Sequence, residues 1–153
     1  MKVNKIQLFL ILALFTTILS AQNQNPNYDD KLAKELGADD YGMKMYTLVL
    51  LTTGTNQDQS NSKNEAFATH MQNMNKLTDE GKLILAGPLG KNEGNYRGIF
   101  ILNTTDVEEA KQFLAADLAI QNKYLKAEYI PYYGSAALSS YLVKHDKIRK
   151  LKP

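Results

Sequence analysis

The strongest constraint on the fold is a pattern that occurs twice along the chain: a β-rich apolar segment, an amphipathic stretch, then another β-rich segment. In the first copy, strands are predicted over Met43–Thr52 and Lys82–Leu89, with a helix between them. In the second copy, strands are predicted over Tyr96–Asn103 and Tyr124–Tyr133, again with a helix between them. Gly and Asn residues at 90–95 predict a hairpin that joins the copies. The element order is therefore β-α-β-β-α-β.

Each helix is preceded by a pattern typical of a capping box, in which a hydroxyl and a carboxylate satisfy free backbone amides. Ser62–Glu65 predicts the start of the first helix, and Thr105–Glu108 predicts the start of the second, which runs to about Ala116. Gly81 is expected to end the first helix in the left-handed conformation. Residues at spacings of three and four give the first helix a face toward the core: Phe67, His70, Met71, Met74 and Leu77.

This order predicts an α+β, ferredoxin-like sandwich, because right-handed crossovers place both helices on one face of a four-stranded antiparallel sheet. The other face then needs a cover, and Lys126 and Glu128 fall on it among apolar neighbours. Such a mixture does not suit the second core of a monomer, so we expect a homodimer. The domain is predicted over residues 41–137, after a polar linker with a possible short helix over 22–40. A C-terminal tail follows over residues 138–153, with a short helix predicted over Ala136–Val143.

The first residues predict export. Lys2 and Lys5 precede the apolar run Ile6–Leu19, and the small residues Ser20 and Ala21 follow it, as in a secretory signal peptide over residues 1–21. The alternative is an uncleaved membrane anchor, but a spanning helix needs about 20 apolar residues and this run is shorter. We therefore expect a periplasmic or secreted protein with no stable membrane insertion after cleavage.

Composition excludes several classes of function. Removal of two N-terminal lysines would bring the 18 basic residues down to the number of acidic ones, 16, so no basic field would remain to attract nucleic acid. The chain has no cysteine, which excludes disulfides, thiol catalysis and thiolate metal sites. His70 and His145 are far apart and lack any metal-ligand spacing, and no glycine-rich phosphate loop is present. We predict no metal and no other cofactor.

Two titratable residues are predicted to point inward from the helices. His70 lies on the inward face of the first helix, and Asp117 lies one turn beyond Leu114 on the inward face of the second. A carboxylate is costly there without a partner. The two helices could bring the imidazole and the carboxylate together, which would fix the histidine tautomer that a general base requires. The alternatives are a histidine at the core edge with one hydrogen bond, and a solvated carboxylate at a helix end.

Four further residues are candidates for substrate binding. Gly87 allows a close approach of the backbone and Pro88 stiffens the end of the strand, although both residues also serve simply to end it. Arg97 opens the third strand and could bind an anion through two hydrogen bonds, with a solvated surface arginine as the alternative. Tyr46 could line an aromatic pocket or pack within the sheet.

In this order and spacing, the segments from about Tyr41 to Ala137 resemble the YCII-related (YciI-like) domain family. The resemblance is carried by 43–46, His70, 81–83, 86–89, 97–100, 109–111, Asp117 and 131–135. It implies a ferredoxin-like fold, dimerisation as an α+β barrel, and a His–Asp active site at His70 and Asp117. One relative is similar to a dehydrochlorinase of a chlorinated hydroxyquinol, which works by acid–base elimination without a cofactor. Relatives usually have Asp-Pro where this chain has Asp117-Leu118, a departure that concerns the orientation of the carboxylate.

Three functions are open on the sequence. The first is a cofactor-free acid–base enzyme of the lyase or isomerase type, acting on a small polar or aromatic molecule. In it His70 would move a proton, Asp117 would orient the imidazole, and Arg97 would hold a substrate anion. The second is a non-catalytic small-molecule binding or sensing module of the cell envelope that uses the same pocket. The third is a structural or interaction protein in which His70 only packs.

Overall fold

The computed structural model describes residues 25–150. The predicted signal peptide, residues 22–24 and residues 151–153 lie outside the described residues. Between residues 25 and 150, no helix combines the length and the apolar character needed to cross a membrane. The described residues fall into two units, residues 25–32 and residues 33–150. In the first, a turn is closed by a hydrogen bond from the Tyr28 amide to the Asn25 carbonyl. The second contains the whole sheet.

The predicted order β-α-β-β-α-β is present, with four further helical elements among the described residues. In chain order, the elements are α1 (Asp30–Leu36), β1 (Met43–Thr53), α2 (Asn61–Asp79), β2 (Leu83–Pro88), β3 (Tyr96–Leu102), α3 (Val107–Phe113), α4 (Leu118–Gln121), β4 (Leu125–Ser135), a 3₁₀ helix (Ala136–Ser140) and α5 (Tyr141–Ile148). The helix predicted over Ala136–Val143 is thus a 3₁₀ turn that leads into a separate α-helix.

The four strands form one antiparallel sheet in the order β2-β3-β1-β4. The central strand β1 pairs with β3 on one side and with β4 on the other, and β2 and β3 form a hairpin. Each βαβ half therefore interleaves with the other, which confirms the predicted α+β, ferredoxin-like arrangement.

The larger core lies between the sheet and the helices. On β1, Val49 and Leu51 face the helices, and the rest of this buried cluster comes from all four strands and from α2, α3 and α4. The Asn73 side-chain amide on α2 donates a hydrogen bond to the Phe113 carbonyl at 3.2 Å, joining α2 to the end of α3. We call this side of the sheet the helix face. Its buried apolar members are Val49, Leu51, Leu77, Leu83, Phe100, Leu102, Ala110, Leu114, Ala119 and Leu125.

The opposite side of the sheet, here called the distal face, has a smaller core of its own. Tyr46, Ile84 and Ile101 are buried there, and Leu138 of the 3₁₀ helix packs against them. The segment after β4 thus covers part of a face that was predicted to lack any cover within the monomer. Lys126 and Glu128 remain exposed.

Both helices start at a residue other than the predicted cap. Ser60, rather than Ser62, caps α2, because its hydroxyl accepts a hydrogen bond from the Ser62 amide. Asp106, rather than Thr105, caps α3 by accepting from the Glu108 amide at 2.8 Å. Gly81 has a φ of 68°, the left-handed conformation predicted for the end of α2.

Candidate functional site

Asp117 begins the short helix α4; it does not extend α3, which ends at Phe113. Its side chain is fully buried, and Oδ1 accepts hydrogen bonds from the amides of Ala119 at 3.0 Å and Ile120 at 3.3 Å. These bonds satisfy free amides of the first helical turn and fix the carboxylate. Leu118 occupies the first helical position, where proline is also well accommodated. With Leu118 at this position, the two amide hydrogen bonds fix the orientation of the carboxylate.

His70 lies near the middle of α2 and is about 8 % exposed. Its Nδ1 is 2.6 Å from Oδ2 of Asp117. Because a carboxylate oxygen accepts hydrogen bonds, we assign Nδ1 as the donor, which leaves Nε2 of a neutral imidazole with a free lone pair. The rings of Phe67 and Phe100 flank the imidazole, with centroids 6.0 Å and 5.7 Å from its own. The imidazole is therefore held by one carboxylate and two aromatic rings.

The second ring nitrogen of His70 is accessible. Across residues 25–150, no fully buried side-chain nitrogen or oxygen lacks a hydrogen-bond partner. Nε2 of His70 forms no hydrogen bond with any of these residues, so this atom is not sealed within the core. The imidazole instead lines a cleft of about 400 Å³ at the surface of the helix face. An atom with a free lone pair thus faces a space that could hold a small molecule.

This site cleft is mostly apolar. Only His70 and Arg97 contribute titratable side chains to its lining. Three residues of the β2–β3 hairpin, Gly87, Pro88 and Gly98, form one border. The remaining lining is apolar and consists of Leu51, Phe67, Met71, Met74, Ala86, Phe100 and Leu125. Of the predicted binding residues, the structure therefore brings Gly87, Pro88 and Arg97 to the same cleft as His70.

Tyr46 does not join this cleft. Side chains alternate along a strand, and Tyr46 points to the distal face whereas Val49 and Leu51 point to the helices. Its hydroxyl donates to the Ser135 carbonyl at 2.9 Å, and its ring lies 6.2 Å from that of Tyr132. Burial, followed by the nearby Tyr132, raises the pKa of Tyr46. The placement corrects the expectation that Tyr46 lines the pocket: it packs in the distal core, the alternative given above.

A β-bulge lies beside the cleft. Leu51 of β1 pairs with Gly98, but the next residue, Thr52, pairs with Tyr96, so Arg97 is an extra residue in β3. A cross-strand partner shares its residue's face, which places Gly98 on the helix face and Tyr96 on the distal face. Alternation from Tyr96 then returns Arg97 to the helix face, beside Gly98. The bulge thus explains how an exposed arginine of β3 lines this cleft.

The sequence did not single out several side chains that interact with His70, Asp117 or their neighbours. The Tyr124 ring lies 6.3 Å from Phe67, and its hydroxyl is 3.3 Å from Oδ2 of Asp58. The hydroxyl of Ser60, followed by its amide, lowers the pKa of Asp58. Burial, and then the charge of Asp117, raises the pKa of Tyr129. Tyr129 pairs with the core residue Val49 across β1 and β4, which places it on the helix face. This pairing could not be predicted from the sequence because it depends on the strand register.

No set of three or more His, Asp or Glu side chains within residues 25–150 is arranged to hold a metal ion.

Comparison with family models gives a match to the YCII-related domain over residues 45–144, about two thirds of the chain. The chain belongs to the YCII-related domain family. The match extends from within β1 into α5, so it contains the His70–Asp117 pair and the whole site cleft of this YCII-related domain. A comparison with curated proteins gives no match.

Proposed function

We propose that this YCII-related protein is an acid–base enzyme of the lyase or isomerase type that works without a cofactor. The observation that supports this most directly is the 2.6 Å contact between Nδ1 of His70 and Oδ2 of Asp117, with Nε2 left free at the cleft. A carboxylate that accepts from Nδ1–H holds the tautomer in which Nε2 can take a proton. The backbone bonds to Oδ1 keep that carboxylate in place as the proton moves.

In the proposed reaction, Nε2 of His70 removes a proton from a carbon or hydroxyl of the bound molecule. In an elimination, the electron pair of the broken C–H bond forms a double bond while the leaving group departs with its own pair. In an isomerisation, the same Nε2–H returns the proton to a different atom. The Asp117 carboxylate stabilises the intervening imidazolium by its charge.

The lining of the cleft supports a small polar or aromatic molecule as substrate. Phe67 and Phe100 flank the imidazole, and offset or edge-on contacts between rings are favourable. A cleft of about 400 Å³ falls in the size range of small-molecule sites. The borders formed by Gly87 and Gly98 expose backbone rather than side chains, which leaves room beside the ring.

The test is hydrogen exchange and turnover in D₂O with a panel of hydroxyquinols, chlorinated hydroxyquinols and unsaturated lactones. NMR would follow deuterium incorporation and new products for wild type, His70→Ala and Tyr46→Phe. We expect at least one compound to react with wild type and Tyr46→Phe but not with His70→Ala, because Tyr46 lies on the distal face. If wild type and His70→Ala treat every compound alike, the proposal loses its support.

The second candidate is a binding or sensing module of the cell envelope that does not convert its ligand. It is favoured by the lining of the cleft, in which no side chain other than His70 and Arg97 can titrate near neutral pH or carry a charge. A reaction that needs a separate acid and base would have to use His70 for both. A compound that raises the melting temperature, yet is recovered unchanged and without deuterium, would support this candidate.

We also propose that the protein is exported and that it self-associates. Export is supported by the signal-peptide pattern of residues 1–21, and N-terminal sequencing of the protein recovered from the periplasm or medium tests it. Self-association through the distal face is supported by Leu48 and Leu50, which are half-buried there, and by Ile130, which is 37 % exposed. Light scattering of wild type and Ile130→Asp tests it. A monomeric mass for wild type would exclude the dimer.

A further inference from the structure

The bulge in β3 gives the site cleft its single fixed charge. Arg97 is exposed and forms no ion pair with any residue between 25 and 150, whereas Arg149, the other arginine of the chain, pairs with Asp146 at 2.6 Å. Without the extra residue, alternation from Gly98 would direct Arg97 to the distal face and Tyr96 to the cleft. Bulges are frequent next to functional sites because they redirect a side chain in this way.

Other features keep this space open around the arginine. Residue 98 is a glycine, and a Cβ there would meet the Gly87 carbonyl oxygen at 2.9 Å, so no side chain competes with Arg97 on this part of the strand. Pro88 pairs with Gly98 across the hairpin and cannot donate a backbone hydrogen bond. The guanidinium is thus the sole permanently charged donor in a lining that otherwise consists of aliphatic, aromatic and methionine side chains apart from His70.

We infer that the ligand of this cleft is a small ring compound bearing one carboxylate or similar planar anion, with Arg97 binding the anion and the apolar wall holding the ring. A guanidinium can form two parallel hydrogen bonds with a carboxylate. Phe67, Phe100, Met71 and Met74 then supply contacts for an apolar body. This arrangement would present the ring, rather than the anion, to Nε2 of His70. The inference rests on the proposed function only for the reaction; the binding claim stands without turnover.

The absence of acidic side chains in the cleft lining supports the sign of the charge. Asp117 is the nearest carboxylate to the imidazole, but its two oxygens are occupied by His70 and by the amides of α4. A cation entering the cleft would meet Arg97 and find no carboxylate in the lining. An anion would meet the guanidinium of Arg97, which forms no ion pair within residues 25–150, and the imidazole of His70. We therefore expect charge to decide which molecules of similar shape bind.

The experiment compares three planar probes of the same shape and different charge: benzoate, benzamide and benzamidinium. Binding to the full-length protein is measured from the methyl signals of Met71 and Met74 and the ring signal of His70 at constant ionic strength. We expect benzoate to bind about tenfold or more tightly than benzamide, as a charge-assisted pair implies, and benzamidinium not to bind measurably. Equal affinities, or no binding by any probe up to its solubility, would overturn the inference.

Two arginine variants give the matched control. Arg97→Gln should reduce the preference for benzoate over benzamide to within about twofold. Arg149→Gln makes the same change in net charge outside the cleft and should leave the preference unchanged. If both variants reduce it equally, the effect belongs to overall charge and the inference is wrong.

Failure of this inference can be told apart from failure of the proposed reaction. If the preference for benzoate depends on Arg97 but no compound undergoes His70-dependent exchange, the protein binds anions without converting them. That result would support this inference and contradict the proposed reaction. If charged and neutral compounds alike undergo His70-dependent exchange and Arg97→Gln has no effect, the proposed reaction is supported and the proposed anionic ligand is wrong.

Discussion

His70 and Asp117 are 47 positions apart in the sequence, and their side chains meet with 2.6 Å between Nδ1 and Oδ2 in the interior of the domain. The contact joins the middle of α2 to the start of α4. Each oxygen of the carboxylate has a separate role: Oδ2 holds the imidazole, and Oδ1 holds the backbone of the short helix. The chemistry of the pair and the local fold are thereby linked.

Asp117→Asn should reverse the tautomer of His70. The amide oxygen can continue to accept from the Ala119 and Ile120 amides, which turns the NH₂ group toward Nδ1. Nδ1 then becomes the acceptor and the proton moves to Nε2. Two-bond ¹H–¹⁵N spectra report this directly, with exposed His145 as an internal reference. Any proton transfer by His70 should fall by about 10²–10⁴-fold. A protonated Nδ1 in the variant would contradict the assignment.

Asp117→Ala should destabilise the protein more than the loss of an ordinary cap. Removal of a capping side chain costs about 1 kcal/mol. Here the Nδ1–H of a buried histidine also loses its partner, which adds about 1–3 kcal/mol. The matched control is Asp106→Ala, which removes the cap of α3 at an exposed site with no histidine attached. Urea unfolding of both variants should show the difference. Equal losses would mean that the contact with His70 contributes nothing to stability.

Ser60→Ala should cost about 1 kcal/mol of unfolding free energy, because Ser60 caps α2. Ser62→Ala should change it by less than about 0.5 kcal/mol, as is usual for an exposed position without a cap role. The pair separates the observed cap from the one that the sequence pattern favoured. If Ser62→Ala lowers the free energy of unfolding more than Ser60→Ala does, Ser62 is the cap of α2, as the sequence pattern predicted.

Gly98→Ala should destabilise the hairpin, because the added Cβ would meet the Gly87 carbonyl oxygen at 2.9 Å. Backbone would have to move, at a cost of about 1–3 kcal/mol. Gly87→Ala is the control, since a Cβ at residue 87 meets nothing within 4 Å. Thermal unfolding of the two variants should give a clearly lower melting temperature for Gly98→Ala. Similar melting temperatures would show that the strands separate freely at this point.

The carboxylate of Asp58 should contribute to the loss of stability in acid. The Ser60 hydroxyl holds the pKa of Asp58 below its ordinary value of 3.8. A depressed folded pKa means that the contribution is present above about pH 3.8 and is lost as the pH falls through the lower folded value. In Asp58→Asn this component is absent, so stability should fall less steeply below pH 4. Parallel curves for wild type and variant would contradict the expectation.

Much of the fold could be predicted because the two halves repeat the same periodicities. The element order and the inward direction of His70 follow from apolar patterns with periods of two and of three to four residues, and the buried residues match these patterns. Asp117 was predicted to reach the interior as an extension of the second helix. It does so as the first residue before another helix, because the Asp117 side chain replaces the missing amide partners there.

The binding residues were harder to predict because they depend on pairing between strands. Tyr46 was assigned to the pocket by its aromatic character, whereas its position in β1 decides its face. Arg97 reaches the cleft through one unpaired residue in β3, and no local pattern in the sequence shows where a ladder slips. Register is set by contacts between distant segments, so it cannot be read from either strand alone.

The double attachment of Asp117 has a consequence for how such a protein would change over generations. Neither residue of the pair could be lost alone without cost. Loss of His70 would leave Oδ2 of the fully buried Asp117 without its partner. Loss of Asp117 would leave Nδ1–H of His70 without an acceptor and would also free two amides in the first turn of α4. The two residues would therefore change together, and the fold alone would preserve them in descendants that transfer no proton.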